Sequence, residues 1–232
     1  MKTMDDLKNR YRQVIADIEA AVRVANAPQH VRLLAVSKTH PAASVRTLYE
    51  LGQRDFGENY VQEMVAKAAE LSDLADLRWI FIGRIQSNKM AAIVRVAAAV
   101  QSLGGERHAR LLAQAAKVHA PRLPLPVHIL VNAGDETSKD GVGMADVLTL
   151  ARVIGRELPE LALRGIMAIP PPLLDANQTD APELYLQLRA LADQVGAGDL
   201  SLGMSGDLRP AIAAGTNCVR IGTALFGPRR NS

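Results

Sequence analysis

A chain of 232 residues with 48% hydrophobic content is long enough to bury a large core and suits one α/β barrel. Its 27 basic and 24 acidic residues are scattered, so a net charge of +3 marks no basic block for nucleic acid, and three Phe, one Trp and four Tyr leave little for base stacking. Cys218 is the only cysteine, which excludes an internal disulfide or a thiolate metal cluster, and the histidines at 30, 40, 108, 119 and 128 lack paired metal-ligand spacing.

The amino terminus carries Asp5, Asp6, Lys8 and Arg10 with no apolar core behind a basic start, and the alanine-rich stretch 90–100 is broken by Arg95. Neither a leader nor a membrane span is expected, and the chain reads as cytoplasmic. Met4, Leu7, Tyr11, Val14, Ile15, Ile18, Val22 and Ala25 recur at helical spacing up to Pro28, which predicts a first helix over 1–28 packing on the rest.

After it, short apolar runs predict strands at 31–37, 55–57, 79–82, 98–102, 127–132, 163–169, 200–203 and 218–221. Helices are predicted between them by Val45/Leu48/Tyr49, Val61/Met64/Val65/Ala68, Ile93/Val94, Leu111/Leu112/Ala115, Val147/Leu148/Ala151/Ile154, Leu184/Leu188/Leu191/Val195 and Leu208/Ile212. About eight strand–helix units is the number a (β/α)8 TIM-type barrel needs, and the turn after the first strand, Ser37-Lys38-Thr39-His40, lacks the glycines of a dinucleotide-binding open sheet. The expected architecture is therefore a (β/α)8 barrel with an additional amino-terminal helix, one domain over 1–232. Pro41 is placed for a helix start and Gly52 for a carboxyl-terminal cap, and Asn59 with Gln62 resembles a capping box. The Pro-rich stretch 170–179 is a surface loop or a lid on the face that holds barrel active sites.

Chemistry is suggested first by Lys38, at the carboxyl end of the first apolar run. An amine held near apolar walls favours its neutral, nucleophilic form, although a lysine at a strand end also packs its stem and leaves its head in water. Gly203-Met204-Ser205-Gly206-Asp207 ends the seventh strand and runs into a helix over 207–214, with Ser205 as its expected cap. Gly222-Thr223 ends the eighth and opens a short helical segment. Barrels frequently bind phosphate between these two loops. Arg220, two residues before Gly222, is expected to point inward and to need an acceptor. A phosphate pocket, an amine and an inward guanidinium suit a phosphorylated aldehyde such as pyridoxal 5'-phosphate, with its aldehyde, phosphate and ring nitrogen. A class I aldolase attacking a sugar phosphate through Lys38 is an alternative, for which Glu58 is the nearby acid/base candidate. Lys89 and Lys139 are rival amines: Lys139 lies in a polar loop and Lys89 several residues into a helix.

The segments Leu34-Ala35-Val36-Ser37-Lys38-Thr39, Asp55-Phe56-Gly57-Glu58-Asn59-Tyr60-Val61-Gln62-Glu63, Phe81-Ile82-Gly83-Arg84-Ile85-Gln86-Ser87-Asn88-Lys89, Gly203-Met204-Ser205-Gly206-Asp207 and Val219-Arg220-Ile221-Gly222-Thr223-Ala224-Leu225-Phe226-Gly227 together resemble the pyridoxal phosphate homeostasis protein family, single-domain relatives of the alanine racemase barrel domain. The resemblance implies that Lys38 is the Schiff-base lysine and that Asn59 lies beside the cofactor ring. It also implies that Ser205, Gly222 and Thr223 take the phosphate, with Met204 and Gly206 completing the cofactor-binding set, and that Arg220 faces the pyridine nitrogen. One departure is visible: the family often has a histidine where this chain has Ile80.

An arginine at the ring nitrogen leaves it unprotonated and a weak electron sink, which disfavours transamination. The implied role is a binder taking part in intracellular cofactor homeostasis, with apo-enzymes as partners and little or no catalysis. The alternative is a single-domain amino acid racemase, for which the sequence offers no carboxyl-terminal domain to supply a second base. Lacking a long apolar surface stripe, the chain is expected to be a monomer.

Overall fold

The computed structural model describes residues 2–25, 30–134, 140–173, 175 and 178–228. In chain order the elements are α1 (Lys2–Val24), β1 (Arg32–Val36), α2 (Ala42–Glu50), β2 (Asp55–Glu58), α3 (Val61–Glu70), β3 (Arg78–Phe81), α4 (Met90–Val96), β4 (Ala97–Leu103) and α5 (Glu106–His119). The second half adds β5 (Leu125–Asn132), β6 (Val142–Gly143), α6 (Val147–Glu157), β7 (Leu161–Ala168), α7 (Glu183–Ala192), β8 (Asp199–Ser201), α8 (Leu208–Ala213), β9 (Cys218–Ile221) and α9 (Thr223–Phe226).

Neighbouring strands run in the order β4-β3-β2-β1-β9-β8-β7-β5, and β4 pairs with β5 to close a TIM-type barrel of eight parallel strands. The two-residue β6 pairs with β5 outside that ring. Each of the eight expected strands is present with ends within two residues of the sequence reading. β6 is too short to leave a periodic signature, and α7 stops at Ala192 without including Val195.

Alternation along the strands separates two apolar compartments. Leu33 and Ala35 of β1 join the large cluster formed with the surrounding helices, whereas Leu34 packs inside the barrel with Ile80, Ala99 and Cys218. Ile80 thus occupies an interior position as an apolar residue. Higher in the barrel the lining turns polar: Ser201 Oγ donates to Gln101 Oε1 at 2.9 Å and accepts from an Arg220 NH1 proton at 3.0 Å.

The amino-terminal helix is an addition to the ring. α1 buries Leu7, Val14, Ile18 and Ala21 and packs against α2, α8 and α9. Burying each of the larger three contributes about 1.5–3 kcal/mol relative to exposure. Met4, at the start of the predicted stripe, is exposed. Arg10 Nε donates to the Leu225 carbonyl at 2.9 Å, fastening α1 to the turn after β9. The boundary expected at Pro28 lies outside the described residues, as do parts of the 170–179 stretch, whose described residues are irregular. No helix among the described residues is long and apolar enough to cross a membrane.

His128, inside the barrel on β5, is 3% exposed, and neither ring nitrogen has a hydrogen-bond partner among the described residues. Burial holds its pKa down at about 4, against the pull of Asp199, whose Oδ2 lies 3.8 Å from Nε2. The folded value is below the unfolded one, so the associated stability is complete above the unfolded pKa and is lost as pH falls through the folded pKa. Urea unfolding at pH 7 and pH 4 is expected to show His128→Gln losing about 3 kcal/mol less than the wild type over that interval.

Candidate functional site at the barrel mouth

Lys38 lies in the turn two residues beyond the end of β1, where the strand's alternation, if continued, would assign it to the inward side. It is half-buried, and its neighbours in sequence are held firmly. Ser37 is buried; its N–H donates to Gly57 O at 3.0 Å and its hydroxyl to Glu58 Oε1 at 2.7 Å. Lys67 Nζ donates to the Ser37 carbonyl at 2.7 Å, to Glu58 Oε1 at 2.6 Å and to Glu63 Oε1 at 2.7 Å. Glu63 Oε1 also accepts the Thr39 N–H at 2.6 Å. Thr39 has φ +65°, a left-handed conformation that costs a residue with a Cβ about 1–2 kcal/mol.

Sequence reasoning missed Lys67, yet a signal existed. Val61, Met64 and Lys67 share the buried face of α3, and Val65, expected on that face, is exposed. A lysine at an apolar position of a helical stripe demands a buried acceptor, and Glu58 supplies it. Glu58 is fully buried; burial raises its carboxyl pKa, while Lys67 and Ser37 pull it down. It faces α3 through Lys67 and points away from the mouth, so it cannot serve as the acid/base carboxylate of an aldolase there.

Asn59 follows β2. The expected capping box is not formed, because Tyr60 is the residue that caps α3 and no side chain bonds to the helix start. Asn59 lines a cavity of about 350 Å³ with Ile82, Ser102, Leu130 and Met167, and its Oδ1 is buried with no hydrogen-bond partner among the described residues. Gly83 presses on its backbone: a Cβ there would lie 1.9 Å from the Asn59 carbonyl oxygen, so only glycine permits this approach.

The two expected phosphate segments lie across the barrel rim. Asp207 caps α8 in place of Ser205, and its Oδ1 accepts the Met204 N–H at 2.6 Å while Oδ2 accepts the Tyr185 hydroxyl at 2.6 Å. Burial, then that hydrogen bond, raises the Tyr185 pKa. Asp207 therefore braces the turn from below and leaves Met204, Ser205 and Gly206 exposed at its crest. Gly203 adopts φ +98°, and a Cβ there would fall 2.6 Å from that of Ala211. Its carbonyl accepts the Arg220 N–H at 2.9 Å, tying the β8 loop to β9.

On the adjacent strand, Gly222 lies against β1, where an added Cβ would meet the Val36 carbonyl oxygen at 3.4 Å. Thr223 opens α9 and is exposed. The His40 ring stacks on Phe226 at 4.9 Å, joining the Lys38 turn to α9. Arg220 is 5% exposed and points inward, with its acceptors the Ser201 hydroxyl and the Ala168 carbonyl, the latter at 2.8 Å. Both acceptors are neutral, and burial lowers the guanidinium pKa.

Strand order sets these residues along one rim of the barrel. β8, β9, β1 and β2 are consecutive in the ring, so Ser205, Gly222 with Thr223, Lys38 and Asn59 follow the carboxyl ends of four neighbouring parallel strands. Of the rival amines, Lys89 ends the 3-10 turn Ser87–Lys89, before rather than within α4, and Lys139 lies outside the described residues.

Residues 11–230 match the sequence model of the alanine racemase amino-terminal domain family. The chain belongs to this family. Among members of similar length, the pyridoxal phosphate homeostasis protein of Pseudomonas aeruginosa is 46% identical over 211 residues, 91% of this chain and 90% of that protein. The protein of the same name from Escherichia coli is 41% identical over 232 residues, 97% and 98% of the two chains. The solved structure of PipY from Synechococcus elongatus with PLP bound superposes with a TM-score of 0.74 at 36% identity, covering 92% of this chain and all of that one.

Removing the ammonium beneath the Lys38 turn leaves the Glu58 carboxylate buried without its cation. Lys67→Met is expected to destabilise the fold by about 3–5 kcal/mol in chemical denaturation at pH 7, and Glu58→Gln combined with it to recover part of that loss.

Proposed function

We propose that this protein binds pyridoxal 5'-phosphate at the barrel mouth, holds it as a Schiff base on Lys38, and serves in intracellular homeostasis of the cofactor with little or no catalysis. The observation that carries the reading is the alignment of Lys38, Asn59 and the β8 and β9 loops along four consecutive strand ends. The family membership and the names of the relatives agree with it.

The residues present suit the cofactor. The exposed crest of Ser205 and Gly206, with Gly222 and Thr223 on the neighbouring strand end, would offer backbone N–H groups and hydroxyls to a phosphate, while the Met204 N–H is held by Asp207. Asn59 lines the cavity, and its buried Oδ1 has no hydrogen-bond partner among the described residues, so a turn of the side chain would let the amide bond a polar substituent of the ring. Bound there, the cofactor supplies an aldehyde for reversible attachment, which lets it be held and later handed to an apo-enzyme.

Arg220 keeps its proton under all ordinary conditions, so as the partner of a ring nitrogen it donates and leaves that nitrogen unprotonated. That arrangement stabilises a substrate carbanion poorly, in keeping with storage rather than turnover. Addition of pyridoxal 5'-phosphate to the purified protein is expected to produce the visible Schiff-base band, and borohydride reduction with peptide mass mapping to place the pyridoxyl group on Lys38. Lys38→Ala is expected to lose the band entirely. A panel of amino acids is expected to show no racemase or transaminase turnover by the wild type. A protein that stays colourless with the cofactor overturns the assignment.

A further inference from the structure

We infer that Glu63, held by Lys67, is a positioning residue for Lys38: it locks the strained turn that aims the amine at the barrel mouth. This inference rests on the reading that Lys38 carries the cofactor, and it concerns residues that do not touch the mouth themselves.

Lys38 is bracketed on both sides. On the amino side, the Ser37 carbonyl accepts from Lys67 and from the His40 N–H, and the Ser37 hydroxyl bonds Glu58. On the carboxyl side, the Thr39 N–H is taken by Glu63 Oε1 at 2.6 Å. Thr39 is the only residue other than glycine with a positive φ among the described residues, so its conformation needs an external hold. Glu63 supplies it from a neighbouring element: it sits in the first turn of α3, and the same oxygen is fixed at 2.7 Å by Lys67 one helical turn along.

Lys67 is 6% exposed and makes three short bonds, so its ammonium is a fixed post between the helix and the turn. The carboxylates of Glu58 and Glu63 converge on it, which ties α3, β2 and the Lys38 turn into one unit. A general structural role and a positioning role predict different outcomes. Loosening the turn should harm attachment of an aldehyde, which needs Lys38 in one place, while sparing the phosphate loops on β8 and β9.

The test uses pyridoxal 5'-phosphate and pyridoxine 5'-phosphate, which shares the phosphate and ring but has no aldehyde. Glu63→Ala removes the acceptor and is expected to weaken Schiff-base formation about tenfold while changing affinity for pyridoxine 5'-phosphate by less than about twofold. In the protein without cofactor, hydrogen exchange at the Thr39 amide is expected to quicken by a similar factor. Glu63→Gln, whose amide oxygen still accepts both bonds, is expected to restore attachment to near the wild-type level. Glu63→Asp, which withdraws the carboxylate by one methylene and keeps its charge, is expected to reproduce the alanine pattern in a milder form and serves if Glu63→Ala fails to fold. Equal weakening of both ligands, or variants indistinguishable from the wild type, overturns the positioning role. A wild type that binds pyridoxine 5'-phosphate but forms no Schiff base overturns the cofactor reading itself, whereas normal attachment by Glu63→Ala overturns the positioning role alone.

Discussion

Parallel pairing around a closed ring governs everything else in this molecule. Because every strand of the barrel runs the same way, every strand ends on the same face, and residues distant in sequence become neighbours there. The contact of β9 with β1 is decisive: Ala35 pairs with Ile221, so the turn carrying Lys38 and the turn carrying Gly222 leave the barrel side by side. An open sheet would separate the first strand from the last.

On the outer side of the same rim, a second interaction stabilises the first. The buried ammonium of Lys67 donates to one oxygen of each of two carboxylates and to one carbonyl, and those groups belong to three different segments. Desolvating such a cluster is costly, and its net contribution to stability is smaller than its bonds suggest. Its value lies in geometry, since it fixes the backbone on either side of Lys38. The inner side of the rim is arranged differently, with Arg220 set on neutral acceptors and Asn59 lining a cavity with its Oδ1 buried and unpartnered among the described residues. One side of β1 and β2 is thus cross-linked through Lys67, although Glu58 Oε2 is buried without a partner among the described residues.

Much of this was legible in the sequence because it rests on local patterns. Apolar runs alternating with helical stripes are enough for the barrel, and the glycines of the β8 and β9 turns mark places where backbone must be approached closely. Lys38 is conspicuous as a charge at the end of a buried run. What escaped reading depends on which helix face meets which strand. Ser205 looks like a cap, but Asp207 takes the cap position by its backbone, and its side chain bonds the Met204 amide and the Tyr185 hydroxyl rather than the helix start. Asn59 looks like half of a capping box, but Tyr60 takes the cap position and Asn59 lines a cavity instead. Lys67 hides in plain sight at a helical position where a surface lysine would be equally ordinary, and only the burial of Glu58 behind it reveals its function.

Storage of a reactive aldehyde asks for a fixed amine, a phosphate anchor and a ring environment that does not drive proton transfer. The barrel mouth assembles candidates for all three, and Ile80 places an aliphatic side chain inside the barrel. The most direct measurement is a crystal structure of the protein grown with pyridoxal 5'-phosphate. Continuous density from Lys38 Nζ to the cofactor, with the phosphate on the Ser205 and Gly222–Thr223 loops and the ring beside Asn59, is the expected result. Cofactor attached to another lysine, or a phosphate seated away from the β8 and β9 loops, would contradict it.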